Sequence, residues 1–159
     1  MWKEDIENLA TYDNSVMLID EFLVDTYDWE FITEILDAIN DTGIPSGIIT
    51  SFPFKTSEEL VDSPILEDKS LFDFYMIPVN KLGYMMDVPD FRGDKQDELK
   101  ALLAKIDKKI IINKILAVGI QRPEEAFNFL NTLDFADMVS VGIASEREAE
   151  ESFGVLNKI

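Results

Sequence analysis

The chain has 159 residues, no Cys and no His, and its 14 Lys and Arg residues against 32 Asp and Glu residues give a formal net charge of −18. Disulfides, thiolate nucleophiles, zinc fingers and iron–sulfur clusters are thereby excluded, and the commonest general base is missing. The charge argues against nucleic acid or a membrane as partner. The sequence shows neither an apolar run of about 18 residues nor a signal-peptide pattern, which predicts a cytoplasmic protein.

Helical and strand patterns alternate along the chain, and they predict one short helix followed by five strand–helix units in a single domain over residues 1–159. The first helix is expected at residues 1–12. Strands are expected at residues 16–19, 44–51, 71–80, 109–115 and 137–143. Further helices are expected at residues 29–40, 56–61, 94–106, from 122 onward and from 145 to about 157.

Near-continuous apolar runs such as residues 110–112 and 138–141 are typical of strands covered on both faces. They predict an α/β fold with a parallel sheet and right-handed crossovers. Two architectures fit: part of an eight-stranded (β/α) barrel, or an open doubly wound sheet. Residues 20–25, which follow the first strand, contain no glycine, and this disfavours the phosphate-binding loop of the nucleotide-binding open sheets. We therefore expect a partial barrel, with the doubly wound sheet as the alternative.

Four segments, taken together, resemble the second half of the barrel of the aldo/keto reductase family. Their order matches the family's passage from helix 4 to strand 5, then strands 6, 7 and 8, the last with a Gly-x-x-Ser ending. The segments are residues 38–51, 72–80, 110–119 and 136–145. The resemblance implies that the five strands correspond to strands 4 to 8, so that the single domain is incomplete relative to a full barrel.

The resemblance also implies an oxidoreductase-like pocket for NADP or NAD at the carboxyl ends of the strands. Thr50, Ser51 and Asn80 would lie near the nicotinamide carboxamide, and Ser145 and Arg147 near the phosphates. The family's catalytic Asp, Tyr and Lys have no counterpart, and its His falls near Asp20. The implied protein binds a nucleotide without a recognisable catalytic tetrad.

Acidic residues cluster after the first strand. They are Asp20, Glu21, Asp25 and Asp28. At the carboxyl end of a barrel strand, several carboxylates would suit Mg²⁺, which takes oxygen ligands. The alternative is a solvated loop with a helix cap at Asp28 or Thr26.

Lys114 lies within an apolar predicted strand, beside Asn113. A partly desolvated lysine suits Schiff-base formation or proton transfer, and the alternative is an ion pair with a neighbouring acid. Asp20 and Lys114 are the catalytic candidates for a metal- or lysine-dependent barrel enzyme.

Two other candidates have structural alternatives. Asn80 would either orient a carboxamide or close a turn beside Gly83. Residues 145–148 would either bind an anion at a helix N-terminus or form a capping box, and we favour the cap.

Three functions therefore stay open: an aldo/keto reductase-like protein with a small-molecule or nucleotide ligand, a non-catalytic barrel subunit or scaffold, and a metal- or lysine-dependent enzyme. Five parallel strands leave two unpaired edges, which invite pairing with another chain. We expect a homodimer, or a complex with a chain that supplies the missing half of the barrel.

Overall fold

A computed structural model describes residues 2–13 and 15–156, which form an α/β fold with a five-stranded parallel sheet. The strands lie side by side in the order in which they occur in the chain. They are β1 (Met17–Ile19), β2 (Ser46–Ile49), β3 (Phe74–Pro78), β4 (Lys109–Asn113) and β5 (Met138–Val139). The predicted parallel sheet is confirmed, but every strand is shorter than the apolar run that predicted it. The fifth keeps two of its seven expected residues.

Helices connect the strands and flank the sheet. They are α1 (Trp2–Leu9), α2 (Glu21–Val24), α3 (Trp29–Asn40), α4 (Pro53–Val61), α5 (Gly93–Ile106), α6 (Pro123–Leu130) and α7 (Glu146–Leu156), with 3₁₀ turns at Pro64–Leu66 and Ala117–Gly119. The sequence predicted α3 to the residue, because its apolar side chains keep helical spacing between two clear ends. The predicted end of the last helix, at about residue 157, lies outside the described residues.

The start of α4 is a correction. This helix was expected at residues 56–61, with Thr56 at its start, whereas it begins at Pro53. The Asp87 carboxylate accepts hydrogen bonds from the backbone N–H groups of Phe54 and Lys55, at 3.1 and 2.7 Å. These bonds satisfy helix N-terminal donors from a distant loop, so no local pattern could reveal them. The Thr56 side chain therefore does not cap the helix and contacts another part of the fold.

The two faces of the sheet differ in burial. Side chains alternate between the faces along a strand, and residues paired across parallel strands share a face. The face that packs against the helices carries eight buried residues: Met17, Ile19, Ser46, Ile48, Tyr75, Ile77, Ile110 and Ile112. The opposite face, which we call the open face, carries Leu18, Gly47, Ile49, Phe74, Met76, Pro78, Lys109, Ile111, Asn113 and Met138. Most side chains of the open face are partly or largely exposed, although they are mainly apolar.

On the open face, β2 approaches both neighbouring strands closely at Gly47. A Cβ atom there would lie 2.4 Å from the backbone oxygen of Phe74 and 2.6 Å from Cδ2 of Leu18. These distances are well below van der Waals contact, and one of the atoms belongs to the backbone, which cannot turn aside. Lack of space therefore requires glycine at this position.

We expect Gly47→Ala to lower the free energy of unfolding by about 1–3 kcal/mol, the usual cost of overpacking a filled site. Gly93→Ala is the matched control, because an added Cβ at this first residue of α5 meets no atom within 4 Å. Alanine there should be neutral or slightly stabilising. Urea denaturation of the two variants measures the difference, and equal stabilities would contradict the close approach.

Candidate functional site

The loops that follow the five strands lie at one edge of the sheet, because parallel strands end at the same side. Nine of the thirteen exposed large apolar side chains of the described residues are in these loops or in the short helix α2. They are Phe22, Leu23, Phe52, Leu82, Tyr84, Met85, Val118, Ile120 and Ile143. In parallel α/β folds, ligands bind at the carboxyl ends of the strands. A ligand site is therefore expected at this edge.

The Asp25 carboxylate joins the loop after β1 to the loop after β2. Its Oδ1 atom lies 2.5 Å from Oγ1 of Thr50 and 3.1 Å from Oγ1 of Thr56, and its Oδ2 atom accepts a hydrogen bond from the backbone N–H of Ser51 at 3.0 Å. Both threonines are fully buried. The Tyr27 hydroxyl lies 3.1 Å from the Thr56 hydroxyl, and burial raises the pKa of Tyr27. Thr50, a predicted cofactor contact, thus holds two loops together.

We expect Asp25→Ala to destabilise the fold by about 1–3 kcal/mol, since it leaves the buried end of a carboxylate network empty and the backbone N–H of Ser51 without its acceptor. The Thr50 and Thr56 hydroxyls, 2.8 Å apart, keep each other as partners. Asp25→Asn keeps one acceptor oxygen and should cost less. Asp37→Ala, at an exposed position on α3, is the control and should change little. Thermal and urea unfolding measure the series, and a loss for Asp25→Ala no larger than for Asp37→Ala would contradict a structural role.

Lys114 lies one residue beyond β4 rather than within the predicted strand, and its backbone is left-handed, with φ of 55°. Its Nζ atom is 3.6 Å from Oε2 of Glu21 and 3.5 Å from Oγ of Ser51. The two charged side chains are 22% and 27% exposed. The fold therefore brings together residues that follow β1, β2 and β4, as expected for a lysine at the carboxyl edge. Its acidic neighbour is Glu21, in agreement with the ion-pair alternative.

The acidic residues that follow β1 have different structural roles. Asp20 accepts a hydrogen bond from the backbone N–H of Phe22 at 2.9 Å and caps α2, and Asp28 accepts one from the backbone N–H of Phe31 at 3.2 Å and caps α3. Within residues 2–13 and 15–156, no group of three or more acidic side chains is arranged to hold a metal ion. The predicted cap at Asp28 is confirmed.

Asn80 closes a turn. It is fully buried, and its Oδ1 atom accepts hydrogen bonds from the backbone N–H groups of Leu82 and Tyr84, at 3.2 and 2.9 Å. Its Nδ2 atom donates to the backbone oxygen of Tyr84 at 2.7 Å. The turn interpretation of Asn80 is the one observed, and the amide is occupied by its own loop.

The residues before α7 form the favoured cap. The Ser145 hydroxyl accepts a hydrogen bond from the backbone N–H of Glu148 at 3.3 Å, and the Glu148 carboxylate accepts one from the backbone N–H of Ala144 at 2.9 Å. These bonds occupy donors that an anion would need. Arg147, the other predicted phosphate contact, is exposed in the first turn of the helix.

A cavity of about 900 Å³ lies between the loops after β4 and β5 and helix α7. Asn113 and Gln121 belong to its lining, and the Oδ1 atom of Asn113 and the Oε1 atom of Gln121 are buried with no hydrogen-bond partner among the described residues. The loop after β4 also holds Ala117 and Val118 at left-handed φ of 47° and 53°. Such a conformation is strained for a β-branched residue, and strain of this kind concentrates at functional sites. The sequence gives no signal for Gln121, which belongs to no motif.

Comparison with protein-family models, curated proteins and solved structures finds no match to this chain. The resemblance to aldo/keto reductases therefore stays a prediction. Among the residues that the structure describes, no helix has the length and apolar character needed to cross a membrane.

Proposed function

We propose that the chain forms five consecutive units of a (β/α) barrel of the aldo/keto reductase type. The strand order supports this proposal, because it runs from β1 to β5 without a reversal. A doubly wound sheet contains a point at which the strand order reverses. Right-handed crossovers between strands in this order place their helices over one face of the sheet, in agreement with the unequal burial of the two faces.

We further propose that the protein acts as a barrel subunit completed by another polypeptide. The open face carries this proposal. In a closed barrel this face lines the interior and is filled by side chains from all the strands. Here Leu18, Ile49, Phe74 and Met76 stay partly exposed in the middle of a sheet. Covering them with another chain would remove apolar surface from water and stabilise the assembly.

A second copy of the same chain is the cover that we propose. The open face carries one charged side chain, Lys109, whereas the whole chain has a net charge of −18. Two copies that meet through their open faces would join their least charged surfaces and keep the acidic surfaces apart. A twofold dimer of this kind is the commonest closed assembly.

Light scattering at tens of micromolar should therefore give twice the chain mass of 18.1 kDa. Met138→Lys adds a charge to the open face at an exposed position of β5 and should shift the protein toward the monomer, because burying an unpaired charge is costly. Phe153→Lys on α7 adds the same charge elsewhere and should leave the dimer intact. A wild-type mass of 18.1 kDa together with a cooperative melt would refute the proposal.

Nucleotide binding is the second candidate function. Ser51 and Lys114 favour it, because a hydroxyl and an ammonium group lie 3.5 Å apart at the carboxyl edge, where the resemblance implies NADP or NAD. The side chains of Thr50, Asn80 and Ser145 instead form hydrogen bonds that stabilise loops and a helix end. We therefore propose binding without hydride transfer. The lysine-dependent enzyme would use the same Lys114, with Glu21 as its acidic neighbour.

Thermal melts with NADP, NAD, Mg²⁺ and sugar phosphates test this candidate. We expect NADP or NAD to raise the melting temperature of the wild type, and Lys114→Met to abolish the shift. The variant alone should melt close to the wild type, since a partly exposed ion pair contributes little. A large loss of stability with an intact nucleotide shift would mark Lys114 as structural. A shift with Mg²⁺ alone would favour the metal-dependent enzyme.

A further inference from the structure

The sheet ends at β1, and backbone groups of this strand point outward from it. Among the described residues, β1 has a neighbouring strand on one side only. The backbone N–H of Met17 donates to the carbonyl oxygen of Pro45, on the β2 side, at 2.9 Å. Because successive residues of a strand direct their N–H and C=O groups to opposite sides, those of Leu18 point away from β2. Leu18 therefore presents a donor and an acceptor to a further strand.

An apolar groove lies beside this edge and is covered by a helix. Helix α1 packs against α3, where the rings of Trp2 and Phe31 meet edge to face with their centroids 6.0 Å apart. The groove has a volume of about 280 Å³ and lies between α1, α3 and β1, with Trp2, Ile6 and Ile35 in its lining. A hydrogen-bonding strand edge beside pockets for alternate side chains is the arrangement by which a sheet accepts an extended peptide.

The charges around the groove favour a basic partner. Residues 2–21 contain six acidic residues and one basic residue. Asp20 lines the groove, and Asp5 is exposed on α1, next to Ile6 in the chain. The basic residue is Lys3, whose ammonium lies 5.2 Å from the centre of the Trp2 ring. A second copy of this chain would bring the same acidic residues together at this edge, whereas a basic segment would neutralise them.

We propose that the β1 edge binds an extended segment of another protein, in which branched apolar residues alternate with Lys or Arg. The segment adds a sixth strand to the sheet through the N–H and C=O groups of Leu18. Its apolar side chains enter the groove under α1, and its cations lie near Asp5 and Asp20. The proposed dimer covers the open face instead, so this inference goes beyond that function and is tested separately from it.

Calorimetric titration with the peptide acetyl-Lys-Val-Lys-Val-Lys-Val-Lys-amide at physiological salt tests the proposal. In one comparison peptide, glutamate replaces every lysine, and we expect it to bind at least about tenfold more weakly, because like charges then meet at the edge. Two further peptides are N-methylated, one at every valine and the other at every lysine. Each keeps the charge and lacks the N–H donors of one edge, so one of the two should bind at least about fivefold more weakly than the parent peptide.

Two variants of Leu18 separate the backbone donor from the side chain. Leu18→Pro removes the outward N–H, and proline is tolerated on an edge strand when its nitrogen faces away from the sheet. Leu18→Ala removes the same side chain and retains the N–H. We expect the alanine variant to bind the lysine peptide at least about fivefold more tightly than the proline variant.

A second pair of variants changes charge at exposed helix positions and does not alter the sheet. Asp5→Lys reverses a charge beside the groove. Glu150→Lys makes the same change on α7, which follows the strand at the opposite edge of the sheet. We expect Asp5→Lys to bind the lysine peptide at least about threefold more weakly than Glu150→Lys.

Several outcomes would overturn the proposal. Absence of binding between the lysine peptide and the wild type would do so directly. Undiminished binding of both N-methylated peptides would show attraction by charge alone. Equal binding within either pair of folded variants would place the peptide elsewhere. If saturating peptide converted a dimer to single chains in light scattering, a second copy would be the occupant of this edge. A wild-type protein that is monomeric, or that shows no shift with NADP, would leave all of these comparisons intact.

Discussion

Parallel pairing between strands that are neighbours in both the sequence and the sheet is the constraint on which the rest of this structure depends. Each connection must return the chain to the starting end of the next strand, and a helix provides that return. The hydrophobic core forms between helices and one face of the sheet, and the other face keeps apolar side chains that are partly exposed. The same pairing brings Asp25, Ser51 and Lys114 to one edge although they are far apart in the chain.

The polar groups at this edge fall into two classes. Asp25, Asn80 and Ser145 make hydrogen bonds that hold loops and a helix end in place. The amide oxygens of Asn113 and Gln121 are buried without a partner in the described residues. Buried polar groups in folded proteins are nearly always paired. The contrast distinguishes the side chains that stabilise the edge from two that are buried without a partner there.

Much of the fold could be predicted from the sequence, and less of the site. Hydrophobic periodicity identified α3 and all five strands, and the cap at Ser145 followed from residues close in the chain. The start of α4 depends on Asp87, and the neighbour of Lys114 is Glu21. With 32 acidic residues in the chain, local patterns cannot tell which carboxylate will face a given donor. The same limit applies to Asp20, which the sequence indicated as a catalytic candidate and which caps a helix. Gln121 belongs to no motif.

The brevity of β5 has a consequence for the motions of the protein. Its register comprises two pairs, Ile111 with Met138 and Ile112 with Val139, whereas β3 and β4 pair over five residues. Segments with few pairings and little buried apolar surface open locally at a lower free energy than the centre of a fold. The last unit should therefore fluctuate open while the first four strands stay paired. Amide hydrogen exchange would then be graded across the sheet, slowest at β3 and fastest at β5, and the protein would unfold from its carboxyl-terminal edge inward.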